Sequence, residues 1–256
     1  MGDLLKGRSI IIMGIRNKWS IAWGIAEAVH KQGASLIFTY QGEQERADVE
    51  KLATELGGVV CYRVDVASDD DLDAFFGALR EKVGVLHGLV HAIAYAKRED
   101  LQDSFVNTSR DGFALALDIS AYSLVAVSRR ASTLMTEGGS IVTLTYMGSE
   151  KVFMGYNVMG VAKSALEASV RYLANDLGPF GIRINAISAG AVKTLSAKGV
   201  KNFGSMLKHS REKAPMRKNV ELEELGGTAV FLLSGMSGGI TGEIIHVDSG
   251  INIMGI

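Results

Sequence analysis

Short runs of β-branched and other apolar residues alternate along this chain with longer stretches in which apolar positions recur every three or four residues. The short runs, at 9–13, 35–40, 59–64, 88–93, 140–146, 183–188 and 244–247, read as strands. Between them the longer period predicts helices at 21–32, 43–56, 69–83, 109–137, 156–177 and 221–234. Gly33, Gly57 and Gly84 follow three of these helices, where a left-handed cap is expected. The strands are apolar throughout rather than alternating, which implies burial on both faces and a parallel sheet. This βα alternation predicts one α/β domain over 1–256: a doubly wound, Rossmann-type parallel sheet of about seven strands flanked by helices. The stretch 189–220 lacks either period and reads as irregular. A connection that long is usually functional, so 190–215 is expected to form a substrate-binding loop or lid.

Composition agrees with a compact enzyme. Of 256 residues 47% are apolar and 21% charged, with 30 Gly and only 2 Pro, which excludes a disordered or fibrous chain. A net charge of −1 gives no overall field for nucleic acid or a membrane surface. The charge is uneven, however: 193–218 holds six Lys and two Arg against Glu212 alone, so this stretch is +7 and the rest −8. A solvated helix face would account for that, and so would a docking site for an acidic partner or a phosphate-bearing substrate. The single cysteine, Cys61, has no intramolecular disulfide partner, and its neighbours Val59, Val60 and Tyr62 suggest inert packing in a buried strand. Apolar runs such as 10–13 fall far short of the ~18 residues of a membrane span. No cleavable signal is apparent and Lys6 breaks a myristoylation pattern, so a cytoplasmic location is expected. The five histidines suggest no metal site: His87 and His91 are four apart, but on a strand that spacing separates them by about 13 Å.

The first turn, MGIRNKWSIAWGIAEAV, places Gly14 after a strand and Ser20 before a helix. Free amides at that helix N-terminus would suit a pyrophosphate, with Ser20 as the N-cap. The run is not G-x-G-x-x-G, so ordinary strand-to-helix geometry explains it equally well. Strand two ends FTYQGE and strand three ends at Asp65-Val66, the positions that would line the adenosine half of a dinucleotide. Asp65 could also be a plain turn residue. In HAIAYA, Ala92, Ala94 and Ala96 would let a flat ligand approach the backbone, or simply pack densely. No cation precedes Arg46 after strand two, which leaves a 2′-phosphate without a partner and favours NADH over NADPH.

Residues 141–168, IVTLTYMGSEKVFMGYNVMGVAKSALEA, carry Tyr146, Tyr156 and Lys163 in an otherwise apolar or small run. On a helix starting near Gly155, Tyr156 and Lys163 would be separated by roughly 700° and about 10.5 Å of rise, and so share one side. Tyrosines at such places are also common core or rim residues, and spacing alone leaves both readings open.

These features together resemble the bacterial enoyl-acyl-carrier-protein reductases, the FabI type within the short-chain dehydrogenase/reductase superfamily. The resemblance spans essentially the whole chain. It rests on G-x5-SIA at Gly14 and Ser20, FTYQ ending at Gln41, DISAYS at 118–123, Tyr146 with YNVMG-x-AK at 156–163, RINAISAG at 183–190 and TGEIIHVD at 241–248. The superfamily's carbonyl reducers carry Tyr-x3-Lys, whereas here the interval is Tyr-x6-Lys and position 143 is Thr. The resemblance implies hydride transfer from NADH to the β-carbon of a trans-2-enoyl thioester on acyl carrier protein, in fatty acid elongation, by a homotetramer. Charge would then develop on the thioester oxygen, and a phenol, protonated at pH 7, suits it as donor.

By the same resemblance Tyr156 is that donor, Lys163 holds the nicotinamide ribose, and Tyr146 belongs to the active site. Cofactor contacts are implied at Gly14, Ser20, Ile21, Gln41, Asp65, Val66, Ile93, Lys163, Val192, Lys193, Thr194, Leu195 and Ser196, and an acyl-chain contact at Ala96. Ala191 and Met154 stand where the family usually has Pro, which puts the order of the 190–210 loop in question. A carbonyl-reducing enzyme and a dinucleotide-sensing module without catalysis are the rivals; Tyr-x6-Lys argues against the first and the intact Tyr156 and Lys163 against the second.

Overall fold

Four successive apolar residues in the first strand set the architecture. Ile10 and Ile12 enter one buried cluster, while Ile11 and Met13 enter a second on the opposite face. A strand buried on both sides needs helices on both sides. The computed structural model, which describes residues 2–192 and 203–255, supplies them. The strands are β1 (Ser9–Met13), β2 (Ser35–Tyr40), β3 (Val60–Arg63), β4 (Gly88–His91), β5 (Gly139–Thr145), β6 (Ile182–Ala189) and β7 (Ile244–Val247). They form one parallel sheet in the order β3-β2-β1-β4-β5-β6-β7.

Helices α1 (Ile21–Lys31) and α2 (Glu43–Glu55) cover one face together with α9 (Leu222–Leu233), through Trp23, Ile25, Leu52 and Leu225. The other face is covered by α3 (Asp69–Val83), α6 (Ser123–Ser132) and α7 (Val158–Leu177), through Phe75, Leu124, Leu166 and Val170. Helices α1 and α9 meet at Gly24, where a Cβ would lie 2.7 Å from Leu222 Cβ. Sheet order reverses between β1 and β4, which opens the crevice at the C-terminal ends of these strands where ligands bind in such folds. Gly33, Gly57 and Gly84 do take positive φ after their helices.

The structure corrects four expectations. The predicted helix 109–137 is interrupted: α5 (Arg110–Leu117) passes through a π-turn, Asp118–Tyr122, into α6. Although Arg110–Ser132 is long and apolar enough to cross a membrane, half of its most apolar stretch is buried inside the protein. The stretch 189–220 is not wholly irregular, because α8 (Phe203–Lys213) lies within it. A short helix, α4 (Arg98–Gln102), follows β4. Cys61 is half-buried rather than buried, since β3 is the edge strand and its Val60 is 53% exposed.

Candidate active site

In a parallel sheet every strand delivers its next residue to the same edge. Gly14 directly follows β1, Gln41 follows β2, Asp65 and Val66 lie just past β3, Ile93 past β4, Tyr146 directly after β5, and Val192 past β6. Every described residue expected to touch a cofactor from a strand end therefore lies along one crest. Lys193, Thr194, Leu195 and Ser196 fall outside the described residues, as does Lys201 of the basic stretch.

The crevice fits a dinucleotide by its local geometry. Gly14 has φ +92, and a Cβ on it would lie 2.1 Å from the Ala92 carbonyl oxygen, so only glycine lets β1 and β4 end this close together. Ser20 sits at the N-cap of α1, as expected, but its hydroxyl donates back to the Asn17 carbonyl (2.7 Å) instead of capping an amide. The first-turn N–H groups of α1 thus have no side-chain cap, and a helix start in that condition binds phosphate. Farther along, Gln41 Nε2 lies 3.5 Å from Asp65 Oδ1, which also accepts from the Ala67 amide at 3.0 Å. Among the described residues no group of three or more His, Cys, Asp or Glu is placed to hold a metal ion.

Tyr156 and Lys163 both lie against the end of β5, though not along one helix side. Helix α7 begins at Val158, so Tyr156 precedes it, and Asn157 turns the chain with φ 41 and ψ −119. What joins the two residues is the end of β5. The Tyr156 ring packs edge-on against Tyr146 at 5.1 Å between centroids and lies against Gly148, while Lys163 Nζ donates to the Leu144 carbonyl at 2.7 Å. Gly148 gives no signal in the sequence, yet a Cβ there would lie 2.5 Å from Tyr156 Cδ1.

Electrostatics prepares these groups as donors. Burial, helped by the negative charge of Asp248, pushes the Tyr146 phenol up to about 12. Burial likewise raises Tyr156 well above the ordinary tyrosine value, with Tyr146 and Glu167 adding to the effect. Both phenols are protonated at neutral pH. Burial pulls Lys163 down to about 8, against the opposing pull of Glu167, which is itself buried one turn along α7 and accepts a 2.6 Å bond from Thr145 Oγ1. His91 lies in the same layer, fully buried between Thr143 and Ser123. Burial and then the Lys163 charge lower it to about 3, so it stays neutral.

The π-turn supplies a side chain that periodicity does not reveal. Ser120 Oγ accepts from the Tyr95 amide and donates to the Tyr95 carbonyl, both at 2.9 Å, which pins the loop that carries Ala96. On the opposite rim Met147, Ala214 and Ile251 form a small buried cluster with Tyr146 and Phe153 packed on it, joining the end of α8 to the tyrosine loop.

Comparison with known proteins gives this geometry its context. The family model described as enoyl-(acyl carrier protein) reductase matches residues 14–252. The FabI enoyl-acyl-carrier-protein reductase (NADH) of Bacillus cereus is 55% identical over 99% of this chain and all of its own. The corresponding enzyme of Staphylococcus aureus strain MRSA252, named for NADPH, is 51% identical over 97% of this chain and 98% of its own. A crystal structure of the Bacillus cereus reductase with NADP+ and indole naphthyridinone superposes with a TM-score of 0.98, covering 99% of this chain and 100% of that one. That of Anaplasma phagocytophilum with NAD, 44% identical, gives 0.97 over 100% and 98%. With matches at this identity over nearly the full length, and a tyrosine pair and a buried lysine both held at the end of β5, the chain belongs to the enoyl-acyl-carrier-protein reductase family.

Proposed function

We propose that this protein reduces the carbon–carbon double bond of a trans-2-enoyl thioester carried on acyl carrier protein, with NADH as the preferred reductant. The observation that carries this reading is the assembly of Tyr146, Tyr156 and Lys163 on the end of β5, next to the β1–β4 crevice. When bound, the dinucleotide supplies the hydride. Gly14, Ser20 and Ile21 would hold its pyrophosphate, Gln41, Asp65 and Val66 its adenosine half, and Ile93, Val192 and Lys163 its nicotinamide half.

Reduction at the β-carbon leaves negative charge on the thioester oxygen, and the Tyr156 phenol donates a hydrogen bond to it there. Its raised pKa keeps the proton on the phenol through neutral pH. Lys163, 5% exposed, adds positive charge beneath that oxygen and donates to ribose hydroxyls. Tyr146 walls off water and holds the Tyr156 ring edge-on. Ala96, half-buried beyond β4, contacts the acyl chain.

The NADH preference rests on charge. Cations near the end of β2 are already engaged: Arg46 with Glu43 and Glu50, and Arg16 with Glu45. Asp65 adds a carboxylate at the position a 2′-phosphate would approach. Relatives are named for either cofactor, so it is this charge pattern, not family membership, that supports the NADH reading. A homotetramer is supported by large exposed side chains on and after α7, Tyr172 at 76% and Phe180 at 70%. The stretch 190–215 is proposed as the substrate lid, and α8 lies within its described residues.

The test is oxidation of NADH, and separately NADPH, with a trans-2-enoyl thioester and in parallel a 3-ketoacyl thioester. Turnover of the enoyl substrate alone, faster with NADH, is expected. Turnover of the keto substrate alone would make this a carbonyl reductase, and NADH binding without either reaction would leave a sensing module.

A further inference from the structure

Asn157 holds a backbone conformation that its residue type does not choose. Among the described residues only Asn157, Arg217 and Ser249 combine a side chain with positive φ, and at φ 41 the Asn157 ψ of −119 lies far from the left-handed well that asparagine tolerates. A residue in so sparse a region persists only when its surroundings over-determine it, and such residues gather at functional sites. Its side chain does not cap α7. Instead Nδ2 donates to the carbonyl of Asp103, the C-cap of α4, at 2.6 Å and to that of Asp100 within α4 at 3.3 Å, so both amide hydrogens go to this short helix and its cap.

The helix it grips is itself anchored. The Asp100 side chain is buried and its Oδ1 accepts from the Ser109 amide at 3.1 Å, which ties α4 to the start of α5. Helix α4 also continues the loop after β4 that carries Ile93 and Ala96. Immediately on the other side of Asn157 stands Tyr156, whose carbonyl takes the Met159 amide at 2.9 Å while the Asn157 carbonyl takes that of Gly160 at 2.9 Å. The strained residue is thus fixed by a rigid helix behind it and a side-chain clamp on α4.

We infer that Asn157 is a positioning residue for the reduction: its clamp on α4 holds the chain turn that aims the Tyr156 phenol, and locks that phenol to the loop bearing the acyl-chain contact. The inference rests on Tyr156 being the donor to the thioester oxygen.

A double-mutant cycle on the NADH-loaded enzyme tests it. Asn157→Asp keeps the side-chain shape and removes both donors; Asn157→Gly accepts the backbone without the clamp and guards against misfolding of the first variant. Both are expected to lower kcat by roughly tenfold or more, with the NADH dissociation constant, read by cofactor fluorescence, changed less than about twofold. Tyr156→Phe should lower kcat by about 10²–10³, and adding Asn157→Asp to it should cost little more, because residues that act through one another are not additive. Parental kcat in Asn157→Gly overturns the inference, as does an undiminished Asn157→Asp effect in the Tyr156→Phe background. Parental kcat in Tyr156→Phe alone would instead overturn the assignment of the donor.

Discussion

Gly148 stands between the two tyrosines, and the room it leaves is what lets them touch. An added Cβ would lie 2.5 Å from Tyr156 Cδ1, 2.7 Å from Tyr156 Cε1 and 3.1 Å from Tyr146 Cδ1, so the rings would have to move apart. Gly148→Ala is expected to lower kcat by roughly 10- to 100-fold through displacement of the phenol and to destabilise the fold by about 1–3 kcal/mol. Steady-state kinetics and thermal melting measure the two separately; a kcat within twofold of the parent would mean that the rings have slack. Lys163 gives a prediction of the opposite kind, in which activity and stability diverge. Burial lowers it from 10.5 to about 8, so between these values the unfolded chain binds the proton that the folded one has lost. Stability from this group therefore rises with pH above 8, relieving a cost of about 3 kcal/mol that is fully present below it. Over the same range the charge proposed to hold ribose is lost. Relative to Lys163→Met, the parent should gain melting temperature from pH 8 to 10 while its kcat/KM for NADH declines. A flat kcat/KM to pH 10 would show that the lysine stays charged.

At the scale of elements, burial made the sheet legible. Strands such as β1 and β4 are short apolar runs with no competing explanation; β1 appears where the pattern puts it, and β4 begins there but ends at His91, two residues early. The site's own departures from regularity were harder to read. A π-turn keeps the chain helical on both sides of Asp118–Tyr122, so apolar spacing runs through it unbroken and predicts a single helix. Helix α8 has little apolar period, because Lys208, His209, Arg211, Glu212 and Lys213 crowd it; Ser210 is buried on it and Ala214 just beyond its end. The seven-residue interval from Tyr156 to Lys163 fits a helix, whereas the end of β5 and Gly148 hold the two residues, a tertiary effect that periodicity does not encode. The π-turn can be tested through Ser120, which is wholly buried and serves both polar groups of the Tyr95 backbone. Ser120→Ala orphans them, at a cost of about 1–3 kcal/mol, and frees the loop that carries Ala96. The KM for the enoyl thioester should rise more than kcat falls, and a drop in melting temperature with unchanged KM would confine Ser120 to stability.

At the scale of the whole molecule the charge distribution is the remaining physical lever. A chain of net charge −1 attracts an acidic carrier protein only if its cations are gathered where the acyl group enters. Helix α8, in the proposed lid, carries three of them, since Lys208, Arg211 and Lys213 are exposed on it and its end is fastened to the tyrosine loop through Ala214. Lys208 and Glu212 are 4.0 Å apart with side chains 70% and 55% exposed, a pairing too weak and too wet to cancel the field. Changing Lys208, Arg211 and Lys213 together to Gln should therefore raise KM for an enoyl group on acyl carrier protein by about tenfold at low salt, mainly through slower association. The same enoyl group on an uncharged N-acetylcysteamine thioester should keep its KM, and kcat should not change with either substrate. As ionic strength rises to 0.1 M and beyond, screening over about 10 Å should erase the difference between parent and variant. If the variant lost affinity for both substrates alike, α8 would act by shaping the entrance; if it lost none, its cations would be a solvated surface and carrier recognition would lie elsewhere.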